Sequence, residues 1–173
     1  LCRDTTVESI VVEFNDVPRL TCVWRAFPRP CANIYTPWYA GIDRVNPTYE
    51  WVDGVNAQRS HLSPDKADFE YKDNKAYWAF FTLQNIMEYD YQFCRPIVAA
   101  EIAKVERQLE VSKAEVDKVY ADLAKINERY AVDMLTDYTA QQAEKTFRWA
   151  QKTAQKLLTE KDKRNMDFWR SKL

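Results

Sequence analysis

The chain has 173 residues and a formal net charge of −1, and 46% of its residues are hydrophobic and 14% aromatic. This composition excludes a disordered chain, and the balanced charge gives no reason to expect nucleic acid or an anionic membrane as a partner. No apolar run approaches the ~20 residues that a membrane-spanning helix needs. We therefore expect one domain, itself part of a larger one, over residues 1–173.

A β-hairpin is predicted within residues 1–27. Residues 8–14 and 20–27 are rich in β-branched and aromatic side chains, which favours strands, and the polar linker 15–19 favours a turn between them. The second strand is apolar on both faces, so cover is expected on both sides. Because an isolated hairpin is at best marginally stable in water, the pattern predicts further strands from outside this sequence.

An irregular aromatic loop is predicted over residues 28–74, where five prolines interrupt any helix. Left exposed, Trp24, Tyr35 and Trp38 would form an apolar patch. We therefore expect these three side chains to contact a second chain or to border a large exposed apolar surface. The chain starts at Leu1 without a signal-peptide pattern, and we interpret it as the later part of a longer product or as a processed chain. Its compartment is not assigned.

Helical spacing dominates residues 75–161, where three helices are predicted. Asp73 is expected to cap a helix over 75–93 whose apolar side chains wrap most of its surface, so deep burial is expected. Pro96 is expected to open the next helix, over 97–130. Apolar residues recur there three and four apart, the spacing of a packed helical seam. The seam contains Ile102, Val105, Leu109, Ser112, Val116, Val119, Leu123, Ile126 and Tyr130.

The last helix is predicted over 137–161, where Thr139 and Gln142 resemble a capping box. A charged tail, 162–173, follows it. The two charged helices are expected to form an antiparallel pair that bends near residues 130–138.

Four cysteines are widely spaced and include no CxxC pair, so the spacing supports neither a zinc site nor a thioredoxin-like site. We expect free, mostly buried thiols, although a Cys22–Cys31 bridge stays open for an exported protein. Cys2 would become an N-terminal nucleophile if Leu1 were removed, but nothing after it resembles an activated site.

Other candidate groups are few. His61 is the single histidine, which excludes a di-metal carboxylate bundle, and we interpret it as a surface or structural residue. No cofactor or metal is expected. An arginine on a buried strand is costly unless it is paired. Arg25 is therefore a candidate carboxylate-binding group, and an arginine that faces solvent is the alternative.

Several segments, in order, carry a family resemblance. They are VWRAF at 23–27, RPC at 29–31, IYTPWYAGI at 34–42 and LTDYT at 135–139, the last followed by Ala143 and Trp149. The segment from Leu1 to Val12 looks like the strand that precedes them. Together they resemble the bacterial dipeptidase A family of Ntn-hydrolase-type cysteine peptidases, to which the secernins are related.

The resemblance implies an α+β fold in which a hairpin and long helices form the C-terminal part of an αββα sandwich. It also implies a dipeptide-hydrolysing enzyme whose nucleophilic cysteine lies upstream. No catalytic residue is assigned within these residues, and Arg3, Arg25 and Asn33 are conjectural substrate-binding positions. The implied partners are the missing N-terminal part of the same protein and a dipeptide, and association between identical chains stays open.

A second interpretation needs no resemblance. The seam over residues 102–130 is also typical of a non-enzymatic helical interaction module. In that case the chain is complete and self-associates through its helices.

Overall fold

The computed structural model describes residues 6–50 and 70–172. Within them lie a three-stranded antiparallel sheet and three helices, so the protein is of mixed α and β structure. The predicted positions Cys2, Arg3 and His61, and residues 51–69 of the predicted loop, lie outside the described residues. The strands are β1 (Ser9–Glu13), β2 (Cys22–Ala26) and β3 (Thr36–Tyr39), and the helices are α1 (Ala76–Tyr89), α2 (Tyr91–Ile126) and α3 (Glu128–Arg170).

The sheet has the order β1-β2-β3. Strands β1 and β2 pair antiparallel with Val11 opposite Trp24, which confirms the predicted hairpin. The third strand was not predicted, because residues 28–74 were expected to be irregular. The Ala40 N–H donates to the Thr21 carbonyl at 2.9 Å. Hydrogen-bonded pairs alternate along an antiparallel ladder, so Pro37 opposite Trp24 occupies a position where no N–H is needed.

The two faces of the sheet have different surroundings. Glu13, Cys22 and Tyr39 share the inner face, and the Cys22 and Tyr39 side chains pack with Tyr120 of α2 and Leu135 of α3. Helix α3 also lies along β3, since Thr146 on α3 accepts a hydrogen bond from Thr36 at 3.1 Å. The edge of β1 has no corresponding helix among the described elements.

Helix α1 is shorter and less buried than predicted. It begins at Ala76, after Lys75 rather than Asp73, and no side chain caps it. Its inner face joins a second core cluster with α3, but Tyr77 is 44% exposed and Tyr89 is 82% exposed. The aromatic residues that wrap α1 are therefore only partly core. The residues buried on this helix are Ala76, Ala79, Phe80, Leu83, Gln84 and Met87.

Pro96 does not begin α2, contrary to the prediction. The backbone leaves helical geometry at Asp90, with φ −138° and ψ 67°, and α2 starts at the next residue, Tyr91. Pro96 then falls in the second turn, where its missing N–H removes one helical hydrogen bond. None of the described helices combines the length and apolar character needed to cross a bilayer.

Asn127 separates the two long helices. Its side-chain oxygen accepts the backbone N–H of Arg129 at 2.9 Å and of Tyr130 at 3.4 Å, which is N-cap geometry. The bend predicted near 130–138 therefore lies earlier. Thr139, expected in a capping box, instead donates to the Leu135 carbonyl at 2.9 Å inside α3.

The antiparallel pairing of the long helices is confirmed by side-chain contacts that run in opposite directions. Ser112 and Tyr138 hydroxyls are 2.8 Å apart, and Lys156 donates to Glu101 at 3.1 Å. The tail beyond residue 161 was predicted to be separate but is helical to Arg170. The predicted seam is only partly buried. Val119, Ile126 and Tyr130 are 48%, 82% and 65% exposed.

Asn127→Ala should lower the free energy of unfolding by about 1 kcal/mol, because two N–H groups at the start of α3 lose their acceptor. Urea denaturation monitored by circular dichroism would measure this change. Asn127→Asp keeps the acceptor and should stay close to the wild type. Equal midpoints for wild type and Asn127→Ala would contradict the capping role.

Candidate functional site

The face of the sheet opposite Glu13, Cys22 and Tyr39, here called the outer face, is mostly apolar and is uncovered along β1, while α3 reaches it at Thr36. It carries Ile10, Val12, Val23, Arg25 and Trp38, which alternate with the helix-facing residues. Ile10 is 52% exposed and Val12 is 42% exposed. Tyr49 covers part of this face, and its ring lies 4.9 Å from that of Trp38. The Tyr49 side chain therefore covers the outer face at β3 and leaves the outer-face side chains of β1 exposed.

A cavity of about 290 Å³ opens on the outer face. Apolar and aromatic walls with one charged group are typical of sites for small, partly apolar ligands. The indole N–H of Trp38 is buried and has no hydrogen-bond acceptor among the described residues. The lining residues include Val23, Arg25, Trp38, Tyr39, Val45 and Tyr49.

Arg25 is the charged residue of this cavity. Its Nε group pairs with Glu8, and its side chain is 41% exposed. The guanidinium carbon also lies 5.7 Å from the Phe27 ring centroid. Arginine has five N–H donors, so the Glu8 contact leaves most of them available to another carboxylate. Arg25 is thus paired, as a strand arginine needs, and can still accept an anionic ligand.

Asn33 lies in the loop after β2 and is fully buried. Its Nδ2 group donates to the Arg29 carbonyl at 3.1 Å, and its Oδ1 atom accepts no hydrogen bond from the described residues. The described side chains of Arg25 and Asn33 share no hydrogen bond. Arg3 lies outside the described residues.

The three aromatic residues expected to border apolar surface differ in burial. Trp24 and Tyr35 are half-buried and line a cleft of about 220 Å³ together with Val11, which is 54% exposed. Trp38 is 8% exposed beneath Tyr49. Trp24 and Tyr35 therefore border exposed apolar surface, whereas the Trp38 side chain is itself buried.

A buried charged cluster lies on the inner face, and sequence reasoning missed it. The Lys113 side chain, 6% exposed, donates to Glu13 at 2.9 Å and to Asp117 at 2.7 Å. The Tyr39 hydroxyl donates to Asp117 at 2.5 Å. One signal was available in the sequence: Lys113 immediately follows Ser112 of the predicted seam, so its charged side chain could be expected to lie beside the buried face of the helix.

These contacts determine which protonation states are stable. The hydrogen bond from Lys113 lowers the pKa of Glu13. Burial alone would lower the pKa of Lys113, but its hydrogen bonds to Asp117 and Glu13 outweigh that effect and raise it. Burial, with the hydrogen bond to Asp117, raises the pKa of Tyr39. At neutral pH the cluster therefore holds a charged lysine and a neutral tyrosine, which suits a structural tie better than proton transfer.

The described thiols are not activated. Cys22 and Cys94 are free and buried, as expected, and burial raises the pKa of Cys22 to about 12. A thiol with such a pKa is protonated at neutral pH and is a poor nucleophile. Cys31 is disulfide-bonded, so the expectation of a free thiol is wrong at this residue. The bridge to Cys22 that was left open is also wrong, because Cys22 is free. Within residues 6–50 and 70–172, no group of three or more side chains is placed to hold a metal ion.

No protein-family model matches this chain, and no curated protein matches it. Function is therefore inferred from the described geometry together with the sequence resemblance.

Glu13→Gln should destabilise the protein by about 1 kcal/mol at pH 7, a modest value because the Glu13 side chain is half-exposed. The folded-state pKa of Glu13 is lowered, so its stabilisation is present above the unfolded value of about 4.3 and is lost as pH falls through the folded value. Urea titrations from pH 7 into the acid range should show wild type and variant converging. A constant difference down to the lowest pH would contradict the ion pair.

Proposed function

We propose that this chain is the C-terminal segment of a cysteine-type dipeptidase of the Ntn-hydrolase kind, which hydrolyses the peptide bond of dipeptides. Its nucleophile would be a cysteine upstream of these residues, and the enzyme would need no cofactor. The chain alone would be inactive, because the described residues offer no activated thiol and no nucleophile paired with a base.

One observation carries this proposal. Helices α2 and α3 pack on the inner face of β2 and β3, and the outer face of β1 presents exposed Ile10 and Val12. A sheet with helices on one face and an uncovered apolar surface on the other has the form of one half of an αββα sandwich. In the complete enzyme a second sheet, supplied by the upstream part, would cover the outer face.

Arg25 would then lie between the two sheets, where its unused N–H donors could bind a substrate carboxylate by charge-assisted hydrogen bonds. The cavity walls formed by Val23 and Trp38 would contact the apolar part of the dipeptide. Arg3 and Asn33 remain conjectural members of the same site. Asn33 would need the upstream part to supply a donor for its Oδ1 atom.

The helical interaction module is the second candidate. The observation that favours it is the exposure of Val111, Val119 and Ile126 on α2, at 64%, 48% and 82%. In this case the helices, and not the sheet, would contact a second copy of the chain.

An activity assay tests the first proposal. The purified 173-residue chain should release no amino acids from dipeptides, whereas the longer natural product, with a processed cysteine at its mature N-terminus, should do so. Cleavage by the 173-residue chain that disappears in Cys2→Ala would move the nucleophile to Cys2 and overturn the proposal.

Matched surface variants separate the two candidates, since Ile10 and Val119 are similarly exposed at 52% and 48%. If the outer face is covered in the longer product, Ile10→Lys should cost about 2–4 kcal/mol there, and less than about 0.5 kcal/mol in the 173-residue chain. Val119→Lys should be nearly neutral in both. The module predicts instead that Val119→Lys abolishes self-association, measured by sedimentation, and that Ile10→Lys has no effect.

A further inference from the structure

Along the outer edge of β1, a defined set of backbone groups is unpaired among the described strands. The Ala40 N–H bonds to the Thr21 carbonyl, and β2 pairs with β3 so that Val23 faces Trp38 and Trp24 faces Pro37. Backbone groups alternate in direction along a strand. The backbone N–H and C=O groups of Thr21, which precedes β2, and of Val23 and Arg25 therefore point toward β3. Those of Cys22, Trp24 and Ala26 point toward β1.

This alternation determines the direction of each backbone group in β1. Trp24 lies opposite Val11 and Cys22 lies opposite Glu13, so Val11 and Glu13 form the hydrogen bonds to β2. The N–H and C=O groups of Ile10 and Val12 consequently point away from β2. They face the open edge of the sheet, where no described strand pairs with them.

The side chains along this edge are those of a buried strand. Ile10, Val11 and Val12 are consecutive and all more than 40% exposed, on both faces of the sheet. Phe14 continues the row of Ile10 and Val12 and is 85% exposed. Edge strands are commonly protected by lysine, proline, a bulge or an inward-pointing charge. SIVVE contains no lysine or proline, and its one charged residue, Glu13, is paired with Lys113 at the end of the strand. A run that is apolar on both faces is typical of an internal strand.

We infer that β1 is an internal strand of the complete sheet, and that a β-strand from the upstream part of the same protein pairs with the Ile10 and Val12 backbone. The identity of this occupant rests on the proposed function. The uncovered edge and the uncovered outer face meet at the same two residues. A second copy paired edge to edge would cover the edge and leave the outer face exposed, whereas the upstream part would cover both.

Amide hydrogen exchange resolved by residue tests this inference, and β1 supplies its own controls. In the 173-residue chain the Val11 and Glu13 amides should be protected, and those of Ile10 and Val12 should exchange rapidly. In the longer natural product the Ile10 and Val12 amides should slow on the order of 100-fold or more. Rapid exchange of these two amides in the longer product would overturn the inference. Concentration-dependent protection in the 173-residue chain would identify a second copy as the occupant and also overturn it.

Val12→Pro and Val12→Ala form a matched pair of variants. Both remove the valine side chain, but only proline removes the outward N–H. In the longer product Val12→Pro should return the Ile10 amide to rapid exchange, and Val12→Ala should leave it protected. In the 173-residue chain Val12→Pro should leave Val11 protected, because proline is tolerated at an edge position that faces solvent. Equal protection of Ile10 in both variants of the longer product would contradict strand addition.

The dipeptidase assay distinguishes failure of this inference from failure of the proposed function. If the longer product is active but the Ile10 and Val12 amides exchange rapidly, the inferred strand pairing is wrong and the proposed enzymatic function is supported. If the longer product is inactive but both amides exchange slowly, the strand pairing is supported and the proposed dipeptidase function is wrong.

Discussion

Lys113 joins the sheet to the helices through a buried ammonium group. Burying such a charge costs several kcal/mol unless partners surround it, and here Glu13 on β1 and Asp117 on α2 accept its hydrogen bonds. Tyr39 on β3 donates to the same Asp117 carboxylate. Two strands and one helix therefore share one network, and the orientation of the sheet on α2 follows from satisfying it. This constraint decides which face of the sheet is turned toward α2 and which is turned away from it.

The two edges of the sheet differ because α3 is on one side only. Thr146 contacts Thr36 from one face of β3, and the Tyr138 ring lies 6.1 Å from Tyr39 on the other, so α3 runs along that edge. No described element does the same for β1. Exposed Ile10, Val11 and Val12 therefore lie along the β1 edge, the one that α3 does not follow.

Several features could be predicted because local patterns agree with the tertiary structure. The hairpin follows from two β-branched runs around a polar turn, and the long helix pair follows from the repeated spacing of apolar residues. The third strand could not be predicted, since proline normally argues against a strand and only the ladder register makes Pro37 harmless. The bend lies at Asn127 and not at the predicted residues 130–138, because one capping side chain can fix the start of a helix against the helix propensity of several neighbouring residues. Lys113 was missed because pattern reasoning assigns charged residues to solvent, and its partner Glu13 is 100 positions away.

That separation in sequence has a kinetic consequence. The Ser112–Tyr138 contact between the long helices closes a loop of 26 residues, whereas the Glu13–Lys113 contact closes one of 100. The longer closure costs about 1 kcal/mol more in chain entropy, and contacts distant in sequence form late in folding. The helix pair is therefore expected to form first, in microseconds to milliseconds, and to provide the surface on which β1 docks. During synthesis β1 and β2 would be made before α2, so the hairpin would lack its helical support for that period and its apolar side chains would be open to chaperones or to aggregation.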